Sequence, residues 1–184
     1  KNFAEASNKY LDEITVCLLK RDRHIKIINE LKKLKVNIKF ITDGDVTGAL
    51  LVSDKKYKVD IFMGVGGGPE GVIAAAALKS LKCNFKGRFI FKSNTDILRA
   101  KKMGIKDLNK KYEINEIVRG DSIFCATGIT TGDLMNGIVK KNNKYITETI
   151  VAYDKTVLEI VKKEVSITWL IEKITIKDPS PVPS

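Results

Sequence analysis

Two arginines flank an acidic residue directly after an apolar segment, in the stretch Arg21-Asp22-Arg23. Guanidinium groups are planar and present paired N–H donors that match the geometry of a phosphate group. The arginines therefore indicate phosphate binding, with ordinary surface charge as the alternative for each one taken separately. For Asp22, the favoured interpretation is that its carboxylate caps the helix that begins at Arg23.

A second polar stretch, Asp43-Gly44-Asp45, follows the alternating segment that ends at Ile41. Carboxylates accept strong hydrogen bonds from sugar hydroxyls, and a glycine lets a ligand approach the backbone closely. Asp45 is also suitably placed to be the N-cap of the next helix. Asp43 has no such structural explanation, so it is the more informative of the two carboxylates.

A glycine-rich stretch, residues 64–71, follows a third apolar segment. It formally matches the dinucleotide pattern G-x-G-x-x-G, but Glu70 would repel a pyrophosphate at the helix N-terminus. A Walker A loop is excluded because Val72 stands where that motif requires lysine. Glu70 is therefore either a metal ligand beside a sugar or phosphate, or a first-turn carboxylate that complements the helix dipole, with Pro69 at the first helical position.

The chain contains one histidine, His24, and three cysteines at no metal-like spacing. A zinc site with two histidines is excluded, and a metal bound here needs oxygen ligands, which favours Mg²⁺ or Mn²⁺. The cysteines are interpreted as small buried apolar side chains in a reducing compartment. The hydroxyl- and glycine-rich stretch 127–133 is interpreted equally as a ligand contact or as a structural turn.

Strands and helices alternate through the first half of the chain. Strands are predicted at residues 12–19, 36–41, 59–63 and 88–91, and helices at residues 23–34, 46–52, 69–82 and 96–103. This alternation predicts an α/β fold with a mixed, largely parallel sheet covered by helices. Ligands bind outside the carboxyl ends of strands in such sheets, so the three polar stretches are expected to meet at one edge.

The pattern changes after Arg119 to a β-rich C-terminal segment. Further strands are predicted at residues 122–126, 136–141 and 144–153, with a turn at Asn142-Asn143 and more strand within residues 155–176. Residues 1–11 are interpreted as a linker or the start of a helix, and residues 12–176 as the α/β body. Three of the four prolines lie in the final residues, so 177–184 are predicted to be a disordered tail.

The chain has 184 residues, with 33 Lys and Arg against 22 Asp and Glu, which gives a net charge of +11. A nucleic-acid surface is one interpretation of that charge. However, arginine and aromatic side chains, which dominate base recognition, are scarce, and a lysine-rich solvated surface is favoured. No apolar run approaches the roughly 18 residues of a membrane span. With neither a signal peptide nor an initiator Met, the chain is expected to begin inside a longer product.

Taken together, four stretches resemble the class II fructose-1,6-bisphosphatases, a bacterial, metal-dependent group of the lithium-sensitive sugar-phosphatase superfamily. They are Arg21-Asp-Arg-His24, Ile41-Thr-Asp-Gly-Asp-Val46, Met63-Gly-Val-Gly-Gly-Gly-Pro-Glu-Gly-Val72, and Arg119-Gly-Asp with Ala126-Thr-Gly-Ile-Thr-Thr-Gly-Asp133. The resemblance covers residues 12–153. It implies part of a layered α/β/α/β/α fold, Mn²⁺ or Mg²⁺ as cofactor, a cytoplasmic homo-oligomer, and no nucleic-acid or membrane partner.

The resemblance also implies an activity and the residues that serve it. The family hydrolyses the 1-phosphate of fructose 1,6-bisphosphate, in gluconeogenesis or the Calvin cycle, and some members also act on sedoheptulose 1,7-bisphosphate. The substrate-binding residues implied by the matched motifs are Arg21, Asp22, Arg23, Asp43, Gly44, Asp45 and Gly67, and the implied metal ligand is Glu70.

Several positions depart from the family pattern. Arg21 stands where the family has lysine, Asp22 where it has proline, and Gly68 where alanine is common. Asp22 would place a negative charge beside a phosphate, so only a contact through its backbone is expected. The family's N-terminal half supplies most metal-binding carboxylates and the residues near the attacking water. This chain therefore resembles the C-terminal, substrate-binding half, and catalytic residues are expected in the missing N-terminal half.

Besides the basic RNA-binding protein that the net charge suggests, two other classes of protein remain open from the residues alone. One is a non-catalytic module that binds sugar phosphates through the same loops. The other is a Rossmann-like nucleotide-binding domain, which the glycine stretch suggests formally.

Overall fold

The structure is a computed structural model of the chain. It describes residues 1–42, 44–142 and 144–153 in full and residues 159–166 through their backbone. Asp43 and the predicted tail, residues 177–184, lie outside the described residues, as do residues 154–158 and 167–176 of the C-terminal segment. Within the described part, no helix has both the length and the apolar character that crossing a bilayer requires.

Helices and strands alternate along most of the chain. The helices are α1 (Asn2–Ser7), α2 (Ile25–Lys33), α3 (Asp45–Leu50), α4 (Gly68–Ser80), α5 (Asn94–Lys102) and α6 (Ile114–Ile117). The strands are β1 (Thr15–Leu19), β2 (Asn37–Ile41), β3 (Ile61–Phe62), β4 (Lys86–Gly87), β5 (Tyr112–Glu113), β6 (Ile123–Thr127), β7 (Val139–Lys141), β8 (Lys144–Tyr153) and β9 (Glu159–Ser166). The predicted α/β class is confirmed.

A three-stranded parallel sheet in the order β2-β1-β3 forms the centre of the first half. Successive side chains on β1 point to opposite faces. Val16 and Leu18 pack with Ile28 and Leu31 of α2, whereas Phe62, which pairs with Cys17, packs with α3 and α4 on the other face. Helices therefore cover both faces of the sheet, and this burial explains why β1 reads as a continuous apolar run.

Several predicted strands are shorter in the structure, among them 59–63, of which Ile61–Phe62 forms, and 136–141, of which Val139–Lys141 forms. Two other differences have a local explanation. The first predicted strand begins only at Thr15, because residues 11–13 form a short 3₁₀ turn. The strand predicted at 88–91 is wrong, since only Lys86–Gly87 pairs, antiparallel, with β5. The alternating aromatic residues of this segment instead form a cluster with Tyr112. The ring centroid of Phe89 lies 6.1 Å from that of Phe91 and 5.6 Å, in an edge-to-face arrangement, from that of Tyr112.

Gly48 allows α3 to lie directly on the sheet. A Cβ at this buried position would meet the Phe62 ring and lie 2.6 Å from Ile41 Cδ1. We therefore expect Gly48→Ala to lower the free energy of unfolding by about 1–3 kcal/mol, measured by urea denaturation. The matched control is Gly71→Ala in α4, where nothing lies within 4 Å and helix propensity predicts a gain of about 0.5–1 kcal/mol. Equal effects of the two substitutions would contradict this packing.

The described chain divides into two compact units, one of residues 1–124 plus 152–153 and the other of residues 125–151 plus 159–166. The second unit is built on an antiparallel sheet in the order β6-β8-β7, with β9 also pairing with β8. The predicted hairpin between β7 and β8 is confirmed, with Asn142 in the left-handed region at φ 46°. Asn143 lies outside the described residues.

Glu148 holds the hydroxyl- and glycine-rich loop of the second unit. Glu148 is 6% exposed, and its carboxylate accepts hydrogen bonds from the backbone and side-chain nitrogens of Asn136, at 2.8 and 2.9 Å. Gly137 N donates to Thr131 Oγ1 within the same loop. These bonds account for the order of residues 127–137 as a structural turn.

Glu148→Gln is expected to destabilise the second unit by about 1–3 kcal/mol. The side-chain amide nitrogen of glutamine would face a nitrogen donor of Asn136, so one of the two hydrogen bonds would be lost. The measurement is chemical denaturation followed by a probe in the second unit. Thr149→Val serves as a control, since it removes only the exposed hydrogen bond between Thr149 Oγ1 and Thr127 Oγ1. A Glu148→Gln protein as stable as this control would contradict the assigned role.

Candidate functional site

Polar loops that follow the three parallel strands meet at one edge of the sheet, as the sequence predicts. Arg21 Nη2 donates to Thr42 O at 3.0 Å, which joins the loop after β1 to the loop after β2. Arg23 Nε donates to Val65 O, and Arg23 Nη2 lies 3.4 Å from Asp45 Oδ2. The loop after the central strand β1 therefore contacts the loops on both sides of it.

The ion pair of Arg23 and Asp45 joins two side chains that the sequence singles out. Their side chains are 43% and 24% exposed, so the guanidinium remains open to solvent. Asp45 Oδ1 is buried and has no hydrogen-bond partner within the described residues. A buried carboxylate oxygen without a donor costs free energy, so a ligand hydroxyl that reached it would be bound favourably.

Asp22 and Asp45 are not helix N-caps, contrary to the capping interpretations. Gly44 is the N-cap of α3, with φ 83°, and Asp45 is the first helical residue. Asp22 is the first residue of a 3₁₀ turn whose N-cap is Arg21, so it does not take the N-cap position predicted for it. Because Asp45 is not the N-cap, we attribute the direction of its carboxylate to the ion pair with Arg23.

Glycines of the third loop leave space for neighbouring carboxylates. A Cβ on Gly66 would lie 3.0 Å from Asp45 Oδ2, and a Cβ on Gly67 would overlap Glu70 Oε2. A Cβ on Gly68, by contrast, would have nothing within 4 Å. A side chain at Gly67 would therefore displace the Glu70 carboxylate, one at Gly66 would press on the Asp45 carboxylate, and one at Gly68 would displace neither.

Glu70 occupies the third position of α4, with Gly67 as the N-cap and Pro69 second in the helix. Acidic residues at this position close capping boxes elsewhere in the chain: Ser93 N donates to Asp96 at 3.2 Å, and Glu113 N donates to Glu116 at 2.9 Å. Backbone hydrogen bonds, from Lys92 and Glu113 respectively, lower the pKa of Asp96 and Glu116.

Glu70 departs from this pattern. In the described part of the chain its exposed carboxylate accepts no hydrogen bond and forms no ion pair, the bond to its own N-cap amide included. It lies instead over Gly67, at the start of the helix and beside the polar edge of the sheet. Glu70 therefore closes no capping box within the described residues, and both interpretations, a metal ligand and a carboxylate that complements the helix dipole, remain compatible with this geometry.

His24 belongs to the same edge and was not identified as functional from the sequence. Its ring is completely buried, and it contacts both the end of β1 and the glycine loop. The signal available in the sequence was its place directly after Arg23, within a polar loop that follows a buried strand.

The described residues contain no group of three or more His, Cys, Asp or Glu side chains that could hold a metal ion. A hard divalent cation requires about six oxygen ligands. The uncommitted carboxylate of Glu70 suits one of these positions, so the described part of the chain fits a share of a metal site and not a complete one.

Comparison with known proteins defines the class of protein to which this chain belongs. A family profile described as bacterial fructose-1,6-bisphosphatase, glpX-encoded, matches residues 1–164. The chain belongs to this family of phosphatases. Its relatives carry the class 2 designation of fructose-1,6-bisphosphatase, which confirms the family resemblance seen in the four sequence stretches.

Three relatives illustrate the similarity. The chain is 35% identical over 187 residues to fructose-1,6-bisphosphatase 1 class 2 of Escherichia coli strain K12, covering 94% of this chain and 55% of the relative. The class 2 protein of Haemophilus influenzae is 36% identical, with 92% and 54% covered. A class 2 fructose-1,6-bisphosphatase/sedoheptulose 1,7-bisphosphatase of Synechococcus is 35% identical, with 82% and 47% covered. The chain therefore spans about half the length of the curated relatives it matches.

Proposed function

We propose that this chain is the substrate-binding part of a metal-dependent enzyme that hydrolyses fructose 1,6-bisphosphate to fructose 6-phosphate and phosphate. Sedoheptulose 1,7-bisphosphate is proposed as a further substrate, since one group of relatives carries that activity in its name. The observation that carries the proposal is the meeting of Arg21, Arg23 and Asp45 with the glycine loop at the carboxyl edge of the parallel sheet.

Each polar loop has a proposed task in binding. Arg21 and Arg23 bind the distal phosphate, because guanidinium groups match its oxygen geometry, and Asp22 contributes through its backbone. Asp45, with Asp43 outside the described residues, accepts hydrogen bonds from sugar hydroxyls. Gly44 lets the sugar approach the backbone, and Gly67 is proposed to contact the substrate beside the Glu70 carboxylate. Binding at the distal phosphate thereby positions the 1-phosphate for hydrolysis.

Glu70 is proposed as one ligand of the divalent metal, Mn²⁺ or Mg²⁺. Such a metal supplies neutralisation of charge on the transferring phosphoryl group and activation of water. The remaining ligands and the residues that handle the attacking water are proposed to come from the part of the enzyme that this chain does not cover. The layered α/β/α/β/α arrangement and a homo-oligomer are proposed for that complete enzyme.

A cytoplasmic location is part of the proposal. The proposal rests on interpreting the cysteines as thiols of a reducing compartment. Their expected burial holds only for Cys17, since Cys83 is partly buried and Cys125 is exposed. The net charge of +11 is attributed to a lysine-rich surface, without a nucleic-acid partner.

Thermal shift and turnover together test the function in the enzyme that carries this chain. Fructose 6-phosphate is expected to raise the Tm without metal, whereas NAD is expected to leave it unchanged. Turnover of the bisphosphate should require Mn²⁺ or Mg²⁺. Stabilisation by fructose 6-phosphate without turnover would support a non-catalytic binding module instead. Stabilisation by NAD alone would support a nucleotide-binding domain, and RNA binding that weakens steeply with salt would support a nucleic-acid protein.

Residues 1–184 on their own are expected to show no bisphosphatase turnover with Mn²⁺ or Mg²⁺, because the described residues offer only a share of the metal ligands. The measurement is phosphate release by rigorously purified protein. Turnover of about 1 s⁻¹ or more, a rate typical of an enzyme, would contradict this division of the site.

A further inference from the structure

His24 is the one histidine of the chain, and its side chain is 0% exposed. Val65 N donates to Nε2 at 2.9 Å, which requires a lone pair on that nitrogen. We therefore assign the hydrogen to Nδ1, which donates to Leu19 O at 2.8 Å, whereas Val65 O, 3.3 Å from Nε2, receives no hydrogen from the ring. The imidazole thus connects the last residue of β1 with the glycine loop after β3.

Val65 is held from two sides by consecutive residues. Its amide donates to His24, and its carbonyl accepts from Arg23 Nε. It stands between Gly64 and Gly66, whose backbones have the largest conformational freedom in the unfolded chain. Two hydrogen bonds to a single valine therefore order a segment that would otherwise be the most mobile part of the edge.

The position of this segment determines where two carboxylates of the site lie. Gly66 packs against the Asp45 carboxylate, and Gly67 lies under that of Glu70. A shift of Val65 away from His24 would move both glycines and so change the distance between Glu70 and the guanidinium of Arg23. Small displacements of this kind reduce catalysis strongly even when the displaced residue touches no substrate.

We propose that His24 is a positioning residue of the phosphatase site, which acts through Val65 on the glycine loop and on Glu70. This inference rests on the proposed function. His24 is too deeply buried to touch a substrate, and its two hydrogen bonds give it a specific task beyond filling the core.

Two amide substitutions separate the hydrogen bonds in the full enzyme. His24→Gln can place an oxygen near the position of Nε2, and so keeps an acceptor for the Val65 amide. His24→Asn can place its nitrogen near Nδ1, and so keeps the donor to Leu19 O. It loses the acceptor for the Val65 amide in the glycine loop. We expect His24→Asn to lower kcat about tenfold and to raise the Mn²⁺ concentration needed for half-maximal rate. His24→Gln should stay within about threefold of wild type on both measures.

The control for mere destabilisation is Ser80→Ala near the end of α4. Ser80 is 2% exposed and donates to Ala76 O and Ser122 O, so the substitution lowers the Tm without touching the glycine loop. If the kcat values of the two His24 variants are equal, or follow the Tm as in Ser80→Ala, the proposal is wrong.

Hydrogen exchange of the Val65 amide keeps the inference separate from the proposed function. Exchange should be faster in His24→Asn than in His24→Gln, whatever reaction the enzyme catalyses. If the wild-type enzyme hydrolyses no sugar bisphosphate, the proposed function fails and this exchange decides the inference alone. Faster exchange in the asparagine variant would then uphold the tether to the loop, and equal rates would overturn it.

Discussion

Glu70→Gln is expected to lower kcat by at least about 10²-fold in the enzyme that carries this chain. Glutamine keeps the shape of the side chain but removes the negative charge that a hard divalent cation requires of its ligands. The loss corresponds to several kcal/mol of metal-assisted stabilisation of the transferring phosphoryl group. The Mn²⁺ concentration needed for activity should rise as well. The measurements are turnover across a Mn²⁺ titration, and the affinity for fructose 6-phosphate without metal, which should change little.

The control for this substitution is Asp96→Asn at the start of α5. Asp96 is a first-turn carboxylate that accepts hydrogen bonds from backbone amides, so its loss should reduce stability and leave turnover unchanged. If Glu70 only complemented the helix dipole, Glu70→Gln would cost at most about 1 kcal/mol of stability and nothing in turnover. Normal turnover of Glu70→Gln at low Mn²⁺ would refute the metal-ligand assignment.

Arg23→Ala is expected to weaken binding of the bisphosphate by about 1.5–3 kcal/mol, which is roughly 10- to 100-fold in affinity. The substitution removes a charge-assisted contact to the distal phosphate. It also releases Val65 O and Asp45 Oδ2, the two groups that the guanidinium binds in the structure. The measurement is KM for fructose 1,6-bisphosphate compared with a substrate analogue that lacks the distal phosphate.

The comparison of the two substrates separates these effects. Loosening of the glycine loop affects both substrates, whereas loss of the phosphate contact affects the bisphosphate alone. The bisphosphate should therefore suffer the larger loss. Arg23→Lys, which keeps the charge but not the paired donors, should lie between wild type and Arg23→Ala. Equal losses on both substrates would contradict a role in distal phosphate binding.

The meeting of the polar loops was predictable from the sequence because it depends only on topology. Once the strands after which Arg21, Asp45 and Gly66 lie are parallel neighbours, their carboxyl ends must share an edge. In the sequence, the apolar run of β1 indicates a buried strand, and the glycines after β3 indicate where that strand ends. The family resemblance, confirmed by the profile match over residues 1–164, added the functional interpretation.

Features that depend on the atoms surrounding a residue could not be predicted from the sequence pattern. Asp45 was open to a capping interpretation, yet the helix begins at Asp45 itself because Gly44 adopts a positive φ and takes the N-cap position. The aromatic segment 88–91 alternates like a strand, but it packs ring against ring and pairs only through residues 86–87. The positioning role proposed for His24 depends on which atoms surround its ring, and those neighbours cannot be derived from a single sequence.

Mutational tolerance along the glycine loop follows from the position of one carboxylate. Gly67 has φ −70° and ψ 156°, a conformation open to every residue, so its lack of a side chain is imposed by space and not by torsion. The space belongs to the Glu70 carboxylate. Replacement of Gly67 therefore acts as an indirect lesion of Glu70, while Gly68, one position further on, is free to become alanine. Neighbouring glycines that look equivalent in the sequence are thus expected to tolerate a side chain unequally, and the acidic side chain three positions after Gly67 sets the difference.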